Sequence, residues 1–206
     1  MSSRHIVVAI TGASGAIYGV RLCRELLRAG ARITVLVSPA GKLVLREECG
    51  LDWEGDEATV SQRLREHFHA GEEQLFHYAG DNFMAPVASG SSAPDAMVIC
   101  PCSMGTLSRV AFGNAGNLLE RCADVMLKER RTLVLVPRET PLSEIHLENM
   151  LRLARMGVRM VPPIPAFYHH PRTIDDLVDF AVGKVLDALR VDHELFRRWG
   201  SGGGKP

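Results

Sequence analysis

The chain has 206 residues, enough for one α/β domain with a substantial core and too few for two comfortable ones. A hydrophobic share of 46% against 23% charged residues is ordinary for a soluble globular protein, which argues against a disordered or membrane-embedded chain. Twenty-four basic residues balance twenty-four acidic ones, so no net field gathers nucleic acid, and no basic run with interleaved aromatics marks a surface for it.

No apolar run is long enough to cross a bilayer, and the opening "MSSRH" is too polar and short for a signal peptide, so a cytoplasmic protein without a membrane partner is expected. The five cysteines (Cys23, Cys49, Cys100, Cys102, Cys122) are an odd set without C-x-x-C spacing, which speaks against a disulfide framework or a structural zinc site.

"HIVVAIT" and "RITVLVS" are short β-branched runs. Between them "AIYGVRLCRELLRAG" repeats apolar residues at helical spacing, with Gly30 placed to end the helix. A βαβ unit therefore opens the chain. "DNFMAPVASGSSAPD" (81–95) reads as a long loop of the kind that binds something or moves. "DAMVICP" (95–101) and "TLVLVP" (132–137) read as buried strands, with a helix capped by Ser103 between them. "SEIHLENMLRLARMG" and "TIDDLVDFAVGKVLDAL" read as amphipathic helices capped by Ser143 and Thr173, the second with Asp176 in capping-box position. Strands alternating with helices predict an α/β fold, a doubly wound parallel sheet in a single domain over residues 1–200, with "SGGGKP" (201–206) as a flexible tail.

In such sheets ligands bind beyond the carboxyl ends of the strands. There the chain places Thr11–Gly15, then Ser38, then Ser103–Thr106, then Arg138 and Glu139. Small hydroxyl residues and glycines with charge at one loop suggest a phosphate-bearing ligand. The first loop departs from G-x-G-x-x-G because Ser14 stands where its second glycine would be. The second strand ends on Ser38 rather than on an acid, which favours a mononucleotide such as FMN over a dinucleotide. Arg138 with Glu139 forms a candidate anion clamp and proton carrier. Arg121, Lys128 and Lys184 also read as ordinary solvated helix positions. "DDLVD" matches a magnesium-diphosphate pattern, but it falls in the first turn of a capped helix and has no second copy, so no metal is expected there. The adjacent histidines of "FYHH" do not by themselves face one ion.

With "TGASGAIYG", "ASGSSAPDAMVICPCSMGTLS", "LLERCADVMLKERRTLVLVPRETPLSEIHLENM" and "FYHHPRTIDDLVDFAVGKVLD" in order, the chain resembles the UbiX-like flavin prenyltransferases, formerly described as aromatic-acid decarboxylases. The resemblance runs from about His5 to Gly200. It implies a Rossmann-like flavoprotein assembled as a dodecamer, with reduced FMN at a subunit interface and dimethylallyl monophosphate as co-substrate. It further implies allyl transfer to flavin N5 with ring closure onto C6, no metal, and a UbiD-like decarboxylase as recipient of the prenylated FMN. By the same resemblance Gly12, Ala13, Ser14, Ser38, Ser103, Met104, Thr106 and Arg121 hold FMN, while Ser89, Lys128, Arg138, Tyr168 and Lys184 hold the phosphate. Glu48 and Glu139 handle protons and, with Ser14, Lys128 and Tyr168, make the catalytic set; Phe83, Tyr168 and Trp199 line the site. Lys184 stands where the family often has arginine, which replaces a bidentate fork by a point charge. Two other readings fit part of these residues. One is a flavin-dependent cysteine decarboxylase, against which stands "SPAGKLVLREECG", an early helix without histidine. The other is a non-catalytic FMN-binding protein, which has no use for Lys128, Arg138, Glu139 and Tyr168 together.

Overall fold

In the computed structural model, which describes residues 3–200, six parallel strands form one sheet in the order β3-β2-β1-β4-β5-β6. The strands are β1 (His5–Ile10), β2 (Arg32–Val37), β3 (Leu75–His77), β4 (Ala96–Cys102), β5 (Thr132–Pro137) and β6 (Arg159–Met160). Helices α1 (Ala16–Arg28), α2 (Pro39–Cys49), α3 (Glu57–Phe68), α4 (Met104–Ala111), α5 (Leu118–Lys128), α6 (Glu144–Arg155) and α7 (Ile174–Leu189) connect and cover them. The winding direction reverses between β1 and β4, so the crevice expected of a doubly wound sheet opens where the loops after those two strands meet.

Both faces of the central strands are covered, which is why they read as continuous apolar runs rather than alternating ones. Ile6, Val8 and Ile10 pack with Leu22, Leu26 and Val182 on the face covered by α1 and α7. Val7, Ala9 and Ile99 pack with Leu107, Leu118 and Met126 on the face covered by α4 and α5. Arg21 clamps α1 to α7 by donating from Nε and Nη2 to the two carboxylate oxygens of Asp179 at 2.7 and 2.9 Å. That fork occupies the last acid of the "DDLVD" run, and Asp176 closes the capping box with Thr173.

Ser103 and Ser143 cap their helices as expected, and Gly30 and Gly157 take left-handed φ just past α1 and α6. The 81–95 segment is more ordered than a plain loop, since residues 86–88 and 90–92 form two short 3-10 turns. Strand β4 runs one residue further than expected, to Cys102. Among the described residues all five cysteines are free thiols. The expected tail lies outside the described residues.

Candidate functional site

At the crevice one polar group ties the ends of β1 and β4 together. Thr11 is fully buried; its hydroxyl donates to the Pro101 carbonyl at 2.8 Å and accepts from the Ser103 N–H at 2.8 Å, locking the loop after β1 to the start of α4. Ser103 Oγ caps α4 by accepting from the Thr106 N–H and donates to Thr106 Oγ1 at 3.0 Å. Ser38 Oγ caps α2 by accepting from the Gly41 N–H at 3.0 Å. Gly12 leaves no room for a side chain, because a Cβ there would stand 2.4 Å from Ala40 Cβ. The β1–α1 loop and the start of α2 therefore meet backbone to backbone.

The N-terminus of α1 is an anion site by virtue of its unpaired N–H groups. Glu48 fills it from the far end of α2, where Oε2 accepts from the Gly15 and Ala16 N–H groups at 2.8 and 3.0 Å. Partial burial pushes the Glu48 carboxyl up, but hydrogen bonds from the Ser14 hydroxyl and these two N–H groups, with the Arg138 charge, outweigh it and hold the group below the usual carboxylate range. Arg138 donates from Nε to the Ser14 carbonyl at 3.0 Å, and its own N–H donates to the Cys102 carbonyl at 3.3 Å. Glu139, next in the chain, is exposed and accepts from the Thr140 N–H at 3.1 Å.

This donor set suits a flavin mononucleotide. Glu48 occupies the α1 donors, while a capping serine keeps its own O–H to give, so Ser38 and Thr106 retain hydroxyl protons facing the crevice edge of the sheet. Arg138 uses only Nε among the described contacts, and its Nη groups remain for an anion. Ala13 and Met104 are buried beside these residues.

The other expected residues stand elsewhere in the chain. Lys128 ends α5, four residues before β5 begins, so it lies at the edge of the sheet opposite Arg138, with the length of β5, roughly 17 Å at about 3.3 Å per residue, between them. A Cβ on Gly90 would come within 2.6 Å of Lys128 Nζ, which places Ser89 at the same edge. Lys128 pairs with Glu129, and Ser89 Oγ meets Ser91 Oγ at 2.9 Å. Arg121, in the first turn of α5, donates to the Ala88 carbonyl at 3.1 Å and to Asp124 at 2.7 Å. Within one chain β5 lies between Lys128 and Arg138.

A third group gathers on α7. Tyr168 meets Trp199 edge to face at 5.3 Å between ring centroids and Phe180 at 5.9 Å, and Trp199 is 81% exposed. Lys184 Nζ donates to Asp187 Oδ2 at 3.4 Å, and Asp187 also takes Arg198 and His193. Phe83 is half exposed on the loop before the 3-10 turns. The sequence places Thr11 in the crevice loop, but its tie to the end of β4, 90 residues away, has no local signal. Sequence reasoning missed Glu57, whose Oε2 accepts from the Ala79 N–H and from Asn82 Nδ2 and so shapes the segment that carries Phe83.

The flavoprotein family profile matches residues 1–186. A relative from Halalkalibacterium halodurans named flavin prenyltransferase UbiX is 52% identical over 193 residues, 94% of this chain and 92% of that protein. A crystal structure of AnUbiX (PadA1) in complex with FMN and dimethylallyl pyrophosphate superposes with a TM-score of 0.86 at 40% identity, covering 98% of this chain and all of that one. A dodecameric FMN-dependent UbiX-like decarboxylase from Escherichia coli O157:H7 superposes with a TM-score of 0.81 at 41% identity, covering 92% and 96% of the two chains.

Proposed function

The chain belongs to the flavin prenyltransferases of the flavoprotein family, and we propose that it joins the dimethylallyl group of dimethylallyl monophosphate to N5 and C6 of reduced FMN without a metal. The observation that carries this is the crevice group, in which Glu48 and Arg138 both bond to the Ser14–Gly15 turn beside the hydroxyls of Ser38, Ser103 and Thr106. Reduced FMN, when bound, supplies an electron-rich N5 as nucleophile. The residues supply the rest. Arg138 receives the phosphate that departs, and Glu139 beside it gives that phosphate a proton, since a monophosphate leaves poorly without charge neutralisation. The faces of Tyr168 and Trp199 stabilise positive charge on the allyl carbon.

Because Ser89 and Lys128 stand at the other edge of the sheet, a second copy of the chain brings them to the crevice, and the site is shared between protomers of a dodecamer. The exposed apolar side chains Phe112, Ile145 and Leu151 support assembly, since lone monomers seldom show so much apolar surface. Lys184 contributes a point charge to the phosphate grip. The product goes to a UbiD-like decarboxylase, and the free thiols suit a reducing cytoplasm; no helix among the described residues is long and apolar enough to cross a membrane. The cysteine decarboxylase reading gains nothing, since α2 carries no histidine.

The test is anaerobic incubation of the protein with reduced FMN and dimethylallyl monophosphate, no metal added, followed by mass spectrometry of the flavin. A flavin heavier by one C5 unit is expected, with dimethylallyl diphosphate the slower donor. Glu139→Gln should slow the transfer by about 10²-fold, the usual worth of a general acid. Bound but unmodified flavin would reject the proposal.

A further inference from the structure

Past α7 the chain turns back on itself. Arg190 ends that helix with a left-handed φ of 56°, and the segment from His193 to Trp199 then returns onto α7 and the Tyr168–His169 loop. Phe196 sits directly on Gly183, where a Cβ would come 2.5 Å from its ring, and packs against Phe180 with 4.8 Å between centroids. Trp199 reaches Tyr168 from there.

One carboxylate holds this segment. Arg198 donates from Nη2 to Asp187 Oδ1 at 2.8 Å and from Nη1 to Oδ2 at 3.3 Å, a two-pronged grip on the residue next to Trp199. His193 donates from Nε2 to the same Oδ1 at 3.2 Å, and its Nδ1 accepts from the Leu195 N–H at 3.3 Å. Partial burial pushes the Asp187 carboxyl up, but the bonds from Arg198 and His193 outweigh it and hold the group below the usual carboxylate range. The packing alongside works against the segment. His169, with its ring 6.3 Å from that of Phe196, is stacked on Phe180 at 5.1 Å with both ring nitrogens buried and, among the described residues, unpartnered. Ring packing is thus opposed by an unpaired imidazole, and Asp187 supplies the anchor.

We propose that Asp187 is a positioning residue for prenyl transfer, which through Arg198 and His193 fixes the Trp199 ring edge to face with Tyr168. The role rests on the reading that those two rings stabilise positive charge on the allyl carbon. A ring that meets charge only in the transition state raises kcat and leaves KM alone. Asp187 has a second route into the site through Lys184, but that contact, at 3.4 Å, is longer than either bond from Arg198.

The test is a double-mutant cycle on the assembled protein with reduced FMN, reading prenyl transfer from dimethylallyl monophosphate and amide hydrogen exchange over residues 190–200. Asp187→Asn should lower kcat about tenfold, the worth of one well-placed cation–π contact, with KM for the donor unchanged. Trp199→Ala should lower it as much, and the two together no further. Gly183→Ala, which lifts Phe196 without touching a charge, should reproduce the kcat loss. In Asp187→Asn the 190–200 segment should exchange faster while FMN affinity holds. A loss that adds to that of Trp199→Ala, or that falls on KM, would mean that Asp187 works through Lys184 and would overturn the proposal. Unchanged exchange in Asp187→Asn would overturn it as well, whatever the kinetics. A parent protein that transfers no prenyl group would instead overturn the prenyl-transfer reading, and the exchange would then decide by itself whether Asp187 holds Trp199 in place.

Discussion

Glu48 does at the residue scale what a phosphate does in many Rossmann-like proteins, since it occupies the N-terminus of the first helix with a carboxylate supplied by the second. Its pKa is depressed in the folded state, so its contribution is present above the ordinary carboxylate pKa of 4.5 and is lost as pH falls through the lower folded value. Glu48→Gln should therefore lower Tm at neutral pH and converge with the parent protein below about pH 4, as read by melting curves across pH. Two charge-assisted bonds at an exposed position are worth about 1 kcal/mol after discounting for solvent, or roughly 2–4 °C in a domain of this size. A gap that persists at acid pH would refute the account. Glu48 was placed in the proton-handling set by resemblance alone. Its grip on Gly15 spans 33 residues of chain, a distance at which no local pattern speaks.

At the scale of elements, α1 lies against the sheet through Gly19, where a Cβ would come 2.3 Å from the Cys100 carbonyl and 3.0 Å from Ile10. Helix propensity favours Gly→Ala by about 1 kcal/mol, but overpacking against a backbone atom costs about 1–3 kcal/mol or more. Gly19→Ala should thus destabilise, whereas Gly105→Ala in α4, whose Cβ meets only Arg109 Nη1 at 3.6 Å, an ordinary contact, should be neutral or stabilising. Urea midpoints of the two variants decide it, and a stabilised Gly19→Ala would refute the close approach. The helix caps at Ser103, Ser143 and Thr173 were legible because capping is local chemistry. Strands β3 and β6 were not, since three and two residues carry no periodicity, and β6 begins with an arginine. The four main strands were legible because burial on both faces makes each one a continuous apolar run.

At the scale of the whole molecule, the chain holds two halves of a proposed site on opposite edges of one sheet, which only another copy can join. Sequence order puts Lys128 and Arg138 ten residues apart, and it is the straightness of β5 that keeps them from meeting. If each site takes Glu139 from one protomer and Lys128 from another, then Glu139→Gln and Lys128→Ala each disable every site in a uniform assembly. Co-expressed in one assembly, random pairing restores both residues to about a quarter of sites. Prenyl transfer by the mixed protein should then exceed the sum of the two pure variants, reaching roughly a quarter of the parent rate by this pairing argument. Activity no higher than that sum would mean that both residues serve the same site from one chain. The distance along β5 forbids this unless the strand itself moves, so complementation tests the fold and the chemistry together.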